Sequence, residues 1–199
     1  MHTGAKELRL SLSSSQINQL NAFLQLIQKW NQAYNLVGAS DIETLVTKHL
    51  LDSLAIVPFI DQGPVLDVGS GAGLPGIPLA IAHPDLSFTL LDSNGKKTRF
   101  MRQAVIELKL DNVNVVQIRI EDYSSQPLPN IVLARAFAPL EEALKLLAAH
   151  CAQNGQVKIM LGMEPEQMPK LSGLTNMTNH EIIVPGLDSQ RHLLVATKT

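Results

Sequence analysis

Val65-Leu66-Asp67-Val68-Gly69-Ser70-Gly71-Ala72-Gly73-Leu74-Pro75-Gly76 is the stretch on which the reading of this chain turns. A short apolar run leads into glycines at 69, 71 and 73, and a helical pattern follows. Glycine permits a tight turn and lets the backbone come close to a ligand. Pro75 suits the first turn of a helix, where its missing N–H costs nothing. Gly71, Gly73 and Gly76 also satisfy G-x-G-x-x-G, the dinucleotide fingerprint, which is a weak signal alone. Two features point elsewhere. Asp67 sits near the end of the first strand, where its carboxylate is expected to face the crevice. There it would repel a pyrophosphate and attract a ligand carrying an amino group and a sulfonium. The first glycine also comes straight off the strand, as Asp-Val-Gly-x-Gly-x-Gly.

Outward from this loop, apolar runs at 65–68, 88–91, 113–118, 131–134 and 157–161 read as buried strands. Helical patterns at 75–83, 96–110 and 140–152 alternate with them, which predicts a parallel sheet with helices on both faces. Two further β-like runs, 180–184 and 192–197, are separated only by Pro185 to Arg191, too short a gap for a helix. They are expected to form an antiparallel hairpin. A mostly parallel seven-stranded sheet ending in such a hairpin is the usual shape of class I S-adenosylmethionine-dependent methyltransferases, with their Rossmann-like α/β fold. A nicotinamide-binding domain normally keeps a parallel sixth strand. Upstream, Ile17, Leu20, Phe23, Leu24, Ile27, Trp30 and Tyr34 recur at helical spacing over 14–35, capped by serines 13–15. A second helix is expected from Thr44 to Pro58. The organisation read from this is an N-terminal helical extension, 1–60, and a methyltransferase domain, 61–199.

Further positions belong with the glycine loop. Asp92 ends the second strand, 23 residues after Gly69, where an acidic side chain accepts hydrogen bonds from ribose hydroxyls. NAD carries the same ribose, so Asp92 does not separate the two cofactors. After the third strand, Ile120 would pack on an adenine and Glu121 would lie near its exocyclic amine. The same pair reads equally as a helix cap or charged loop. Arg135 follows the fourth strand, at the carboxyl end where open α/β sheets bind ligands, and is expected near the methyl-transfer centre.

The totals exclude several classes. The chain has 199 residues, a formal net charge of −2 and 45% hydrophobic residues. A core is therefore available, and a polyanion would need a local basic patch. Lys96, Lys97, Arg99 and Arg102 are the candidate patch, with Lys48, His49 and Arg191 as additions. An ordinary solvated helix face is the competing reading. The one cysteine, Cys151, forms no internal disulfide and is expected to pack in the core. No run approaches the ~18 apolar residues of a membrane span, and residues 1–12 do not read as a signal peptide. The expectation is a cytoplasmic protein, monomeric, without a metal site.

With these residues assembled, the chain resembles the RsmG (GidB) family of bacterial 16S rRNA guanine-N7 methyltransferases. The likeness runs through Lys29-Trp30-Asn31, Tyr34-Asn35-Leu36, His49-Leu50-Leu51-Asp52-Ser53 and the stretch Asp67 to Leu79. It continues through Leu90-Leu91-Asp92-Ser93-Asn94-Gly95-Lys96-Lys97, Arg135-Ala136-Phe137-Ala138 and Arg191-His192-Leu193. The Gly-Leu-Pro-Gly-Ile-Pro and Leu-Leu-Asp-Ser-x-Gly-Lys-Lys runs are the specific part. The resemblance implies S-adenosyl-L-methionine contacts at Gly69, Leu74, Ile120, Glu121 and Arg135, together with Gly71, Gly73 and Asp92 from the reading above. It implies a substrate guanine in the decoding-region loop of the small ribosomal subunit's 16S rRNA. Family members carry Leu-Lys-Gly after the fifth strand. This chain has Met160-Leu161-Gly162, and Lys158 lies on the opposite strand face from Leu161.

Guanine N7 has a lone pair and no proton to lose, so holding it in line with an activated methyl can supply most of the acceleration. The chain lacks an Asp/Asn-Pro-Pro-Tyr/Phe string for amino-group targets and a Pro-Cys setting for cytosine C5. An NAD-dependent oxidoreductase and a non-catalytic cofactor-binding RNA module are the alternatives.

Overall fold

The computed structural model describes residues 2–38, 41–135 and 139–199. A seven-stranded sheet has the order β3-β2-β1-β4-β5-β7-β6. Its strands are β1 (Val65–Val68), β2 (Phe88–Asp92), β3 (Val113–Gln117), β4 (Ile131–Arg135), β5 (Gln156–Leu161), β6 (Leu174–Glu181) and β7 (His192–Lys198). The first five are parallel, and β7 enters antiparallel between β5 and β6. The helices are α1 (His2–Glu7), α2 (Ser14–Tyr34), α3 (Ile42–Thr44), α4 (Asp52–Leu54), α5 (Gly76–Ala82), α6 (Gly95–Leu108) and α7 (Leu140–Ala149).

Strand alternation divides the core into two layers. Val65, Leu133, Met160, Leu193 and Val195 face a cluster shared with α2, α5 and α6. Leu66, Val68, Val132, Ala134, Ile159 and Leu194 face a second cluster with α7. Both faces are covered, which is why these strands read as continuous apolar runs rather than alternating ones. The α2 face of Ile17, Leu20, Phe23, Leu24 and Ile27 is buried. Each such side chain contributes roughly 1.5–3 kcal/mol relative to exposure. Ser13 and Gln16 form a reciprocal capping box at its start, with N–H···O distances of 2.8 and 3.2 Å. Trp30 packs edge-on against Phe100 of α6, so the N-terminal helix rests on α5 and α6 rather than directly on the sheet.

Two expectations need correction. The segment expected to be one helix over 44–58 is broken: α3, a π-helical stretch Leu45–Leu51, α4, and a 3₁₀ turn Val57–Phe59. Hydroxyls back-bond within it, Thr47 Oγ1 to the Glu43 carbonyl and Ser53 Oγ to the His49 carbonyl. The strand expected at 180–184 also starts earlier, at Leu174, and ends at Glu181. Ile182–Val184 instead lies in the connection to β7, with Ile183 exposed and Val184 buried. The antiparallel hairpin itself is present. Its outer arm is an edge strand of mostly polar residues, with a register shift between Thr175 and Thr178 and Asn176 at φ 48°. Edge strands are commonly blunted this way, so the apolar signal pointed to the wrong residues.

Candidate functional site

Strand order reverses between β1 and β4, and the site lies above the carboxyl ends of the strands there. Gly69, Gly71 and Gly73 have φ of 70°, 58° and 76°, the left-handed region that glycine enters without strain. The Gly69 and Ser70 N–H groups donate to the Leu91 carbonyl at 2.8 and 3.0 Å, which turns the loop over β2. Asp92, 7% exposed, braces the same turn: Oδ2 accepts from the Gly71 N–H at 2.9 Å and Oδ1 from the Asn94 N–H at 2.8 Å. A carboxylate oxygen has two lone pairs, so ribose hydroxyls can still be accepted.

One cavity, of about 150 Å³, is lined by Val68, Gly69, Leu91, Asp92, Ser93 and the segment Ile118 to Glu121. It brings together four predicted site residues: Gly69, Asp92, Ile120 and Glu121. The other glycines lie deeper. A Cβ on Gly73 would lie 2.8 Å from Ile77 Cγ1, so this glycine allows helix packing. Leu74 is buried in the apolar cluster below.

Asp67 is placed differently from the expectation. It is 1% exposed, turned under the loop, and its Oδ2 accepts the Gly76 N–H at the start of α5 at 3.0 Å. Ser70 Oγ donates to its backbone carbonyl. Burial pushes its carboxyl up to about 6, against the Ser70 and Gly76 hydrogen bonds and the nearby Arg135. It anchors the helix rather than facing the crevice.

A second cavity, of about 430 Å³, lies on the other side of the switch point. Lys48, His49, Asp52, Arg135, Met160, Leu161, Gly162 and Arg191 line it, a size within the range of small-molecule pockets. Val68 pairs with Ala134, so Gly69 and Arg135 follow at the same level on neighbouring strands roughly 4.8 Å apart. The first cavity thus opens from the end of β1 and the second from the end of β4, on the two sides of the switch point. Arg135 belongs to the second one, and so do three members of the candidate RNA patch, Lys48, His49 and Arg191. Lys96, Arg99 and Arg102 are exposed on α6 instead, whose opposite face is buried. Ala136, Phe137 and Ala138 lie outside the described residues.

Asp52, absent from the sequence-predicted site, is 3% exposed and holds both arginines. Its Oδ1 accepts from Arg191 Nε at 3.0 Å, and its Oδ2 is 3.5 Å from an Arg135 guanidinium nitrogen. Burial raises its pKa, opposed by these two guanidiniums. His49 is lowered to about 4 by burial and by the positive charges of Arg135, Lys48 and Arg191, so it is neutral at pH 7. Three cations against one carboxylate leave the lining at +2. Lys158 takes no part: it is buried on the other face, Nζ donating to the Phe59 carbonyl. Cys151 packs beneath α7, its thiol pushed up to about 11 by burial. Among the described residues no cluster of histidine, cysteine or acidic side chains is placed to hold a metal ion.

A profile of the GidB family, rRNA small subunit methyltransferase G, matches residues 16–193. The chain belongs to this family. A relative from Marinobacter nauticus named ribosomal RNA small subunit methyltransferase G is 46% identical, over 100% of this chain and 94% of its own length. One of the same name from Pseudomonas syringae is 43% identical over 100% and 94%. Among solved structures, magnesium protoporphyrin IX methyltransferase from Synechocystis superposes with a TM-score of 0.62 at 13% identity, covering 89% of this chain and 97% of that one. The methyltransferase SibL superposes with a TM-score of 0.63 at 15% identity, covering 90% and 69%. These place the fold among class I methyltransferases, as expected. Family membership settles the choice between methyl transfer and the nicotinamide reading of Gly71–Gly76 in favour of methyl transfer.

Proposed function

We propose that this GidB-family chain transfers the methyl group of S-adenosylmethionine to N7 of a guanine in the 16S rRNA of the small ribosomal subunit, in its decoding-region loop. The observation that carries this reading is the pair of cavities on the two sides of the β1–β4 switch point. One is suited to an adenosine, the other cationic and open to a nucleotide. The first cavity fits the cofactor. Gly69 offers close backbone approach, Asp92 accepts from ribose hydroxyls, Ile118 and Ile120 wall an adenine, and Glu121 lies where an exocyclic amine would donate. Gly71, Gly73 and Leu74 shape the loop from behind, and Arg135 stands on the acceptor side. When bound, the cofactor supplies an electrophilic methyl on a sulfonium.

Among the described residues the acceptor side lacks a good base. His49, near pKa 4, is a weak one, and Asp52 is engaged by two guanidiniums. That suits an atom with a lone pair and no proton to lose, where positioning is the main requirement. Met160 and Leu161 offer apolar surface to a base, and the guanidiniums offer donors to its O6 and to flanking phosphates. The chain acts as a monomer in the cytoplasm in this reading. No helix among the described residues is long and apolar enough to cross a membrane.

Small subunits lacking the modification, incubated with labelled S-adenosylmethionine and the protein, should acquire label at a single guanine N7 of 16S rRNA. Label at a base amino group, or in protein only, would overturn the assignment of the target atom or substrate.

A further inference from the structure

The cofactor cavity, the α6 cations and the apolar core are accounted for by the site already described. Asp52 is not. It lies on α4, outside the sheet, yet its two oxygens reach basic side chains at the ends of two strands: Arg135 ends β4 and Arg191 immediately precedes β7. β5 separates these two strands in the sheet order. Arg191 is further fixed by donating to Ser189 Oγ at 3.1 Å and the Gln190 carbonyl at 2.7 Å. The Arg135 and Arg191 side chains are 24% and 20% exposed and line the cavity, while the Asp52 side chain is 4% exposed, so the anion is enclosed beneath them.

We propose that Asp52 is a positioning residue for the acceptor nucleotide: one buried carboxylate clasps Arg135 and Arg191 together across the β5 end. The clasp lets both guanidiniums present donors to one base and its flanking phosphate. The inference rests on the acceptor-cavity reading above. Two partly desolvated guanidiniums placed side by side repel. With their shared anion removed, each gains more from turning to solvent than from staying in place. The cavity would keep its cations and lose their geometry. Binding by bulk charge would survive, and the aligned pose would not.

The test uses the full chain as Asp52→Asn and, because a buried substitution can fail to fold, also as Arg191→Gln, which alters a side chain at the cavity rim. Each is assayed for S-adenosylhomocysteine affinity, for KM and kcat on unmodified small subunits, and by crystallography. Expected are unchanged S-adenosylhomocysteine affinity and a rise of about ten- to a hundredfold in KM for subunits, larger than the fall in kcat. The double variant should be little worse than either single one, because both break the same clasp. Asp52→Asn crystals should show Arg135 and Arg191 apart. Retained arginine positions in Asp52→Asn, or single effects that multiply in the double variant, would overturn the proposal. A merely structural aspartate would lower S-adenosylhomocysteine affinity and thermal midpoint together and leave the KM-to-kcat split unmoved, which also overturns it. If wild-type protein itself failed to methylate subunits, the functional reading would fall, and the crystal structure of the variant would still decide the clasp.

Discussion

Asp67 shows how much of a site can hang on one buried atom. Its Oδ2 holds the Gly76 N–H, and a Cβ on Gly76 would stand 2.6 Å from that same oxygen. The acid, the glycine and the start of α5 are therefore one unit, and Gly76→Ala should disrupt it. The sequence placed Asp67 correctly at the end of a strand but not on the correct side of it, because alternation gives a face only once a neighbour's direction is known. Since its folded pKa, about 6, exceeds the ordinary 3.8, the folded state binds the extra proton between these values. Stability conferred by Asp67 is therefore greatest at low pH and declines as pH rises from about 4 to about 6. Asp67→Asn removes this dependence. Calorimetric melts of the two proteins from pH 4 to 7 should show the variant gaining on the wild type up to about pH 6 and then a constant difference. Parallel pH curves would mean Asp67 does not titrate in that window.

At the scale of elements, α6 illustrates what local chemistry decides. Asn94 caps it, with Oδ1 accepting from the Lys96 N–H at 2.9 Å and from the Lys97 N–H at 3.4 Å. The same residue follows Asp92, whose carboxylate braces the glycine loop. Losing the cap frays the turn that carries the cofactor cavity's rim. Asn94→Ala should cost about 1 kcal/mol of stability by denaturant titration and weaken S-adenosylhomocysteine binding several-fold. A stability loss with unaltered affinity would show that cap and cavity are independent. The strands other than β6, and α2, α5, α6 and α7, were legible because each has a strong period or an uninterrupted apolar run. The π-helical stretch Leu45–Leu51 was not, since π-turns keep a helix-like pattern and differ only in hydrogen-bond spacing. That stretch carries Lys48 and His49 and leads straight into Asp52 on α4: the sequence singled out Lys48, His49, Arg135 and Arg191 one by one, but neither the cavity that gathers them nor Asp52, which holds two of them. The donor half lies at the ends of three consecutive strands, β1, β2 and β3, and was readable from the glycine loop and the residues that close β2 and β3. The acceptor half is gathered from α4, β4, β5 and the β6–β7 connection, residues far apart in the chain and joined only by the fold.

For the molecule as a whole, a net charge of −2 means that attraction to RNA must come from where the cations sit, not how many there are. Two groups are on hand: Lys48, Arg135 and Arg191 around the acceptor cavity, and Lys96, Arg99 and Arg102 on the exposed face of α6. α6 starts just after β2 ends, so its first turn stands beside the donor cavity, while the other cations flank the acceptor cavity across β1 and β4. An RNA strand laid along the carboxyl edge of the sheet would meet both. The groups should then differ in what they control. The α6 cations meet phosphates without touching the reacting base, so their removal should lower affinity and leave turnover intact. Each phosphate that is no longer neutralised should reduce the slope of log affinity against log salt by about 0.7–0.9. The triple change Lys96→Gln, Arg99→Gln, Arg102→Gln should therefore flatten the salt dependence of small-subunit binding by about two units, raise KM and hold kcat near the wild-type value. An unaltered slope would leave α6 a solvated face and give the whole electrostatic task to the acceptor cavity, where a +2 lining could then support only a shallow salt dependence.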